Sequence, residues 1–257
     1  ASIITVASII FIIIYILVNG IPNLTTDLFS LHYNSKNQSM LPSIFNTVFI
    51  TFLTLLVAVP IGIFSAVYLV EYAKKGSKLV KVIRVTTETL AGIPSIVFGL
   101  FGFLAFVIAL GWGYSMIAGV LTLEMMVLPT IIRTTEEALL AVPNSYREGS
   151  FGLGAGKIRT IFKIIVPTAI PGILSGVILA IGRIVGETAA LIYTSGTVAE
   201  TATSLTDSAR TLSVHLYCLL SEGLFTNQAY ATAVILLLLV VGINALSNFI
   251  AKKLAKK

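Results

Sequence analysis

The sequence predicts an all-α, polytopic membrane protein with six transmembrane helices, and three observations carry that prediction. Of the 257 residues 56% are apolar and only 11% charged, well under the roughly 25% charged residues of a soluble domain. The apolar residues gather into stretches long enough for a helix to cross a bilayer, which takes roughly 20 residues, and mean hydropathy is +0.99. The basic residues collect in alternate connections. This composition excludes a soluble domain and a disordered chain. The single cysteine, Cys218, has no partner in the chain, so a disulfide scaffold is excluded as well.

The first span is read over residues 2–18, ended by Asn19-Gly20-Ile21-Pro22. No small-residue cleavage site precedes a soluble domain, so it reads as an uncleaved signal anchor. The sequence begins at Ala1 rather than methionine, and a preceding stretch is expected. The second span lies in the charge-free stretch 41–70. The third and fourth flank Gly111-Trp112-Gly113, at residues 89–110 and 114–132. The fifth, residues 168–193, carries two charges, Arg183 and Glu187. The sixth, residues 229–251, runs into a basic tail, 252–257. The expected organisation is a first helix and loop over 1–43, a core over 44–251 and the tail over 252–257.

Orientation follows the lysines and arginines, which cytoplasmic connections collect. Fourteen of the 17 lie on one side: Lys74, Lys75, Lys78, Lys81 and Arg84 after span two, Arg133, Arg147, Lys157, Arg159 and Lys163 after span four, and the four tail lysines. The other side holds Lys36 and Arg210. Both termini are therefore expected in the cytoplasm. The net charge of +6 is a topology signal and not the footprint of a nucleic-acid surface. His32, His215 and Cys218 fall in the opposite loops without metal-ligand spacing and read as ordinary loop residues.

The connection 133–167 is long and patterned. Ser145-Tyr146-Arg147-Glu148 reads as a capping box opening a short helix, which ends near Gly152 or Gly154 because glycine accepts the left-handed turn. A second amphipathic stretch follows through Ile158, Ile161, Phe162 and Ile165 to Pro167. The product is a helix–turn–helix at the membrane surface.

Within it, Glu148-Gly149-Ser150, then Gly154, then Ile164-Ile165-Val166-Pro167 resembles the EAA loop of ABC-importer permeases. The spacing matches throughout. Gly149 and Ser150 replace two alanines and Val166 a leucine, and Gly149 weakens the helix by up to about 1 kcal/mol. The resemblance implies an ABC transmembrane type-1 importer fold, whose coupling helix sits in a groove of an ATP-binding subunit. It carries Glu148, Gly149, Ser150 and Gly154 over to that role. Three further runs are similar to phosphate permeases: Leu90 to Gly102, Val127 to Leu139 continuing into Ala141-Val142-Pro143, and Gly182 to Ala189. So is Tyr68-Leu69-Val70-Glu71-Tyr72. The Arg-Thr-Thr-Glu-Glu run from Arg133 and the Leu212 to Tyr217 segment look like the PstA-type subunit rather than PstC. The resemblance implies a bacterial or archaeal inner membrane and a PstC-type permease as partner. It also implies two PstB-type ATP-binding subunits, which hold the ATP and magnesium, and a PstS-type external phosphate-binding protein. It implies no cofactor in this chain.

Arg183 and Glu187 are the main chemical clue, because ionisable groups inside a span are costly and usually face a cavity or partner. Four residues apart on a helix they share one face. The pairs Gly172/Gly176 and Gly182/Gly186 offer close helix approach. Two readings stand. Either the charges form a salt bridge that holds helices in register, or Arg183 lines the phosphate path with its planar fork of donors. In the second, Glu187 positions Arg183 or accepts the hydrogen of a protonated phosphate, which would disfavour sulfate. Arg133, at the end of span four, is either a topogenic arginine or a second station on the path. Glu124 receives no role, and Glu88 is read as interfacial. Pro94, Pro129, Pro167 and Pro171 are expected at helix ends and kinks.

No phosphate-cradling loop is present: Gly152-Leu153-Gly154-Ala155-Gly156-Lys157 has the wrong spacing and no Ser/Thr after the lysine. ATP hydrolysis is therefore expected on another chain. The alternatives are an importer for another oxyanion such as molybdate or sulfate, a PstC-type subunit, a secondary transporter, or an intramembrane enzyme. The last is disfavoured because both histidines and both aspartates, Asp27 and Asp207, fall in loops.

Overall fold

The computed structural model describes residues 2–74 and 76–255, and among them every regular element is helical. The topogenic Lys75, Lys256 and Lys257 lie outside the described residues. The α-helices are α1 (Ser2–Gly20), α2 (Leu41–Val67), α3 (Lys78–Ala91), α4 (Ser95–Gly102), α5 (Met116–Leu140) and α6 (Asn144–Gly152). They continue with α7 (Lys157–Thr160), α8 (Val166–Val185), α9 (Ala189–Thr194), α10 (Leu212–Glu222) and α11 (Thr226–Ala255). Five stretches are long and apolar enough to cross a bilayer: Ile3–Asn23, Leu41–Tyr72, Met116–Leu140, Lys157–Val185 and Thr226–Phe249.

The expected third span departs from a straight helix. Its residues 89–110 fall mainly on Ser95–Ala109, the second member of a pair whose first, Lys78–Ala91, is bent from it by 103°, and the count reaches six only if this pair supplies one span. Pro94 sits at the break. It has no N–H to give and forces the residue before it out of the helical region. Pro129 and Pro171 lie inside helices and end neither. Pro167 also fails to separate the surface stretch from span five, because Lys157–Val185 is one continuous span. The residues just before Pro167, Ile161–Ile165, are π-helical, and this wider turn takes up the proline ring.

The chain forms two compact units. One comprises the chain up to Thr51, Gly99–Thr122 and Val185–Gly242. Its core joins Leu28, Met40, Leu212 and Ala231. The buried amide of Asn46 organises the loop before α10. It donates to the carbonyls of Glu200 and Arg210 and accepts from the Ala202 N–H at 3.0 Å. The Thr47 hydroxyl accepts the Leu212 N–H at 2.8 Å, serving one of the orphan donors that open a helix. Gly111 and Gly113, at φ +68 and +66, make the reversal ahead of α5 that a side chain would strain. Helix α1 buries little of itself: Ile3, Phe11 and Val18 among others are exposed, as a lipid-facing helix requires.

The other unit comprises Phe52–Phe98, Leu123–Ile184 and the chain from Ile243. Its core packs Ala66 and Val67 of α2, Leu139 of α5, Ile161 and Ile165 of the π-helical turn, and Ala169 and Ile173 of α8. A smaller cluster holds Leu69, Val80 and Ile132. Helices α5 and α8 approach closely where small residues meet. A Cβ added at Gly172 would stand 2.6 Å from the Ala138 Cβ, and at Gly176 it would collide with the Thr134 hydroxyl. The second expected small-residue pair does not behave alike, because a Cβ at Gly182 would meet nothing within 4 Å.

Candidate functional site

The seam of α5 and α8 opens into a groove that carries several polar groups. Thr130, Thr134 and Glu137 recur along α5 at helical spacing, and Ser175, Ile178, Leu179, Gly182 and Arg183 along α8. Two cavities follow this seam. One, of about 530 Å³, is lined by Thr134, Glu137, Gly172, Ser175 and Gly176 among others. The next, of about 420 Å³, is lined by Thr130, Gly182, Arg183 and Asn244 of α11. They share Ile178 and Leu179 as walls, so the two cavities adjoin along the seam. The lining mixes the hydroxyls of Thr130, Thr134 and Ser175 with the apolar Ile178 and Leu179.

Arg183 is half-buried and makes no ion pair or hydrogen bond among the described residues. Its guanidinium therefore stands unneutralised on the groove wall. Beside it, Asn244 carries a buried side-chain oxygen with no donor. A cation, hydroxyls and an amide on an otherwise apolar wall can hold an anion: the arginine supplies charge and paired donors, the neutral groups supply orientation.

The expected common face of Arg183 and Glu187 does not exist. Helix α8 ends at Val185, and Glu187 lies in the irregular turn that follows, so the four-residue spacing no longer means one face. The buried Glu187 carboxylate instead accepts the Ala190 N–H at 3.0 Å, in the first turn of α9. Its carbonyl accepts the Ser213 hydroxyl at 2.6 Å. Glu187 thus caps one helix and binds a second.

Arg133 is exposed and held in an acidic setting. Its Nε donates to Glu137 at 3.0 Å, and Glu88 stands 4.0 Å away. Arg84 pairs with Glu136. These five charges surround a cavity of about 280 Å³ that shares Glu137 with the groove. Glu124 has an unpartnered buried oxygen and lies in neither cavity.

In the connecting segment the helix–turn–helix is present, but its start differs from expectation. Helix α6 begins at Asn144 after Pro143, and no side chain caps it. Proline's fixed φ sets the entry, and Ser145 falls inside the helix. The turn after α6 uses Gly154 at φ +80, a conformation that glycine adopts at no steric cost. Glu148 and Gly149 are exposed, while Ser150 is buried and its hydroxyl bonds that of Thr160 at 2.8 Å. Ser150 therefore joins the two short helices and presents nothing outward.

One arrangement escaped sequence reasoning. Arg147 of α6 donates from Nη2 and Nε to a single oxygen of Glu71, at 2.6 and 3.0 Å. It also donates to the carbonyls of Val142 and Leu139, at 3.0 and 3.2 Å. The pair is mostly enclosed, with side-chain exposures of 17% and 10%. One guanidinium so ties α6 to the π-helical end of span two (Tyr68–Tyr72), to the last turn of α5 at Leu139 and to Val142 in the link after it. No spacing signal links two residues 76 positions apart.

Residues 58–257 match the family described as binding-protein-dependent transport system inner membrane component. The chain is 33% identical to the probable ABC transporter permease protein YqgI of Bacillus subtilis (strain 168), over 95% of this chain and 88% of that protein. It is 45% identical to the phosphate transport system permease protein PstA 1 of Mycobacterium tuberculosis (strain CDC 1551 / Oshkosh). That match covers 54% of this chain and 45% of that protein. Among solved structures, a chain of the bacterial alginate ABC transporter, in complex with its pentasaccharide-bound periplasmic protein, aligns over all of this chain and 95% of its own. The TM-score is 0.72 at 16% identity, which shows the type-1 importer permease fold.

Proposed function

The chain belongs to the family of binding-protein-dependent transport system inner membrane components, and from that premise we propose that it is a PstA-type permease subunit of an ATP-driven phosphate importer. As a member of the family it is a multi-pass membrane protein and a transport subunit. Phosphate as the cargo is supported by the likeness to PstA 1. In this reading the chain forms half of the pathway with a PstC-type permease, receives phosphate from a PstS-type binding protein and is driven by two PstB-type subunits that hydrolyse ATP. Both termini face the cytoplasm.

The observation that carries the anion path is Arg183, unpaired on the wall of the cavity it shares with Thr130 and Asn244. A phosphate oxygen takes two donors of the guanidinium fork, whose planar geometry suits phosphate oxygens. Thr130 and Asn244 orient the anion from the neighbouring helices. Arg133, at the Glu137 end, is the second station, where Glu137 and Glu88 compete with phosphate for the guanidinium and keep binding weak enough for release. Glu187, committed to the start of α9, acts on the path by fixing that turn. ATP-driven motion enters through Glu148, Gly149 and the Gly154 turn. Ser150 braces α6 from within, and the Arg147–Glu71 pair passes the motion to span two and α5.

The test is phosphate uptake by the reconstituted complex carrying Arg183→Gln, with assembly and basal ATPase followed in parallel. Uptake is expected to fall by about tenfold or more, the loss of charge-assisted hydrogen bonds, while assembly and ATPase persist. Uptake near that of the parent would remove Arg183 from the path. Sulfate or molybdate uptake in place of phosphate would change the cargo and keep the permease.

A further inference from the structure

Helix α3 carries three different faces. At about 100° per residue, Val80 and Ile83 point to one side, Lys81, Arg84 and Glu88 to a second, and Leu79, Val82 and Val85 to a third. The first side is packed, with Val80 buried against Leu69 and Ile132 and Ile83 beside them. The second is ionic: Arg84 pairs with Glu136 and Glu88 faces Arg133. The third has no protein partner, and Leu79, Val82 and Val85 are 58%, 61% and 54% exposed. Lys78, the first residue of the helix, closes this face at its N-terminal end, and Lys81 borders it at the side. Both are exposed, and neither is in an ion pair among the described residues. The helix is bent 103° from the one that follows, so it does not share that helix's path across the bilayer.

We propose that α3 is an interfacial helix that binds the anionic phospholipid surface of the membrane. Leu79, Val82 and Val85 sink among the acyl chains, and Lys78 and Lys81 reach to the headgroups. An apolar stripe bordered by lysines is the pattern of helices that lie in the bilayer interface, and lysine stems can follow the apolar surface while their ammonium groups stay at headgroup level. Charge decides the occupant. An apolar protein partner would cover Val82 yet leave both ammonium groups without a counter-charge, whereas anionic headgroups satisfy both requirements. The Arg84–Glu136 pair joins this helix to α5, whose Thr130, Thr134 and Glu137 line the groove, so the lipid surface steadies the groove wall. The inference needs a bilayer and is independent of what is transported.

The test attaches a nitroxide to Val82→Cys in a Cys218→Ser chain, assembled with its partner subunits in vesicles of phosphatidylcholine, alone or mixed with phosphatidylglycerol. The label is expected to collide readily with oxygen and poorly with a water-soluble nickel chelate. Spin-labelled phosphatidylglycerol is expected to be held over phosphatidylcholine by up to about fivefold per lysine, and Lys78→Gln with Lys81→Gln should abolish that preference. A label shielded from both reagents means a protein covers the face, and a label open to nickel means water does; either overturns the proposal. So does a lipid preference that survives the lysine changes. If Val82→Cys does not assemble, Val85→Cys on the same face gives the same reading.

Discussion

The imidazole of His215 is fully enclosed, and Arg210 lies 3.2 Å from its Nδ1. Because the guanidinium can only donate, Nδ1 is the acceptor and the proton sits on Nε2. Burial, and then the neighbouring Arg210 charge, push its pKa from the ordinary 6.5 down to about 4. The unfolded imidazole thus takes up a proton near pH 6.5 that the folded one refuses until about pH 4, and stability falls as pH drops through that window. Between pH 7 and pH 5 the expected loss is about 2 kcal/mol. Denaturant unfolding in detergent at the two pH values measures it, and His215→Gln should remove most of the difference. In the sequence His215 is one loop histidine among two, with no sign of its burial. Arg183 was legible as a costly intramembrane charge, yet its relation to Glu187 was not. The helix that would align them stops at Val185, and the Glu187 carboxylate finds a backbone N–H instead.

At the scale of elements, closeness of α5 and α8 rests on two glycines. Gly176→Ala would drive a methyl into Thr134, and overpacking of this kind costs about 1–3 kcal/mol. Gly182→Ala meets open space and is expected to be neutral or to stabilise by up to about 1 kcal/mol, the helix preference for alanine. Unfolding of the two variants side by side checks this, and equal losses would mean the seam is not set by packing. The small-residue spacing showed both pairs alike in the sequence, because spacing states which residues share a face and not what stands opposite. Helix α6 carries the same lesson: Ser145 and Glu148 had the capping pattern, but Pro143 opens the helix without a side-chain cap.

The whole molecule is expected to place its basic connections in the cytoplasm. In a Cys218→Ser background, Lys36→Cys should react with a membrane-impermeant maleimide on intact cells, and Lys253→Cys only after permeabilisation. The reverse pattern would invert the proposed orientation.

Spans, basic connections and the motif run from Glu148 to Pro167 were readable from the sequence alone. Hydropathy, charge and motif spacing are local sums, and a bilayer sorts segments by those sums. What the sequence could not contain is which distant groups meet. Asn244 beside Arg183, Arg147 on Glu71 and the free apolar side of α3 depend on helix crossings and on where a helix bends or ends. Side-chain packing across the fold decides these, and only the tertiary structure displays it.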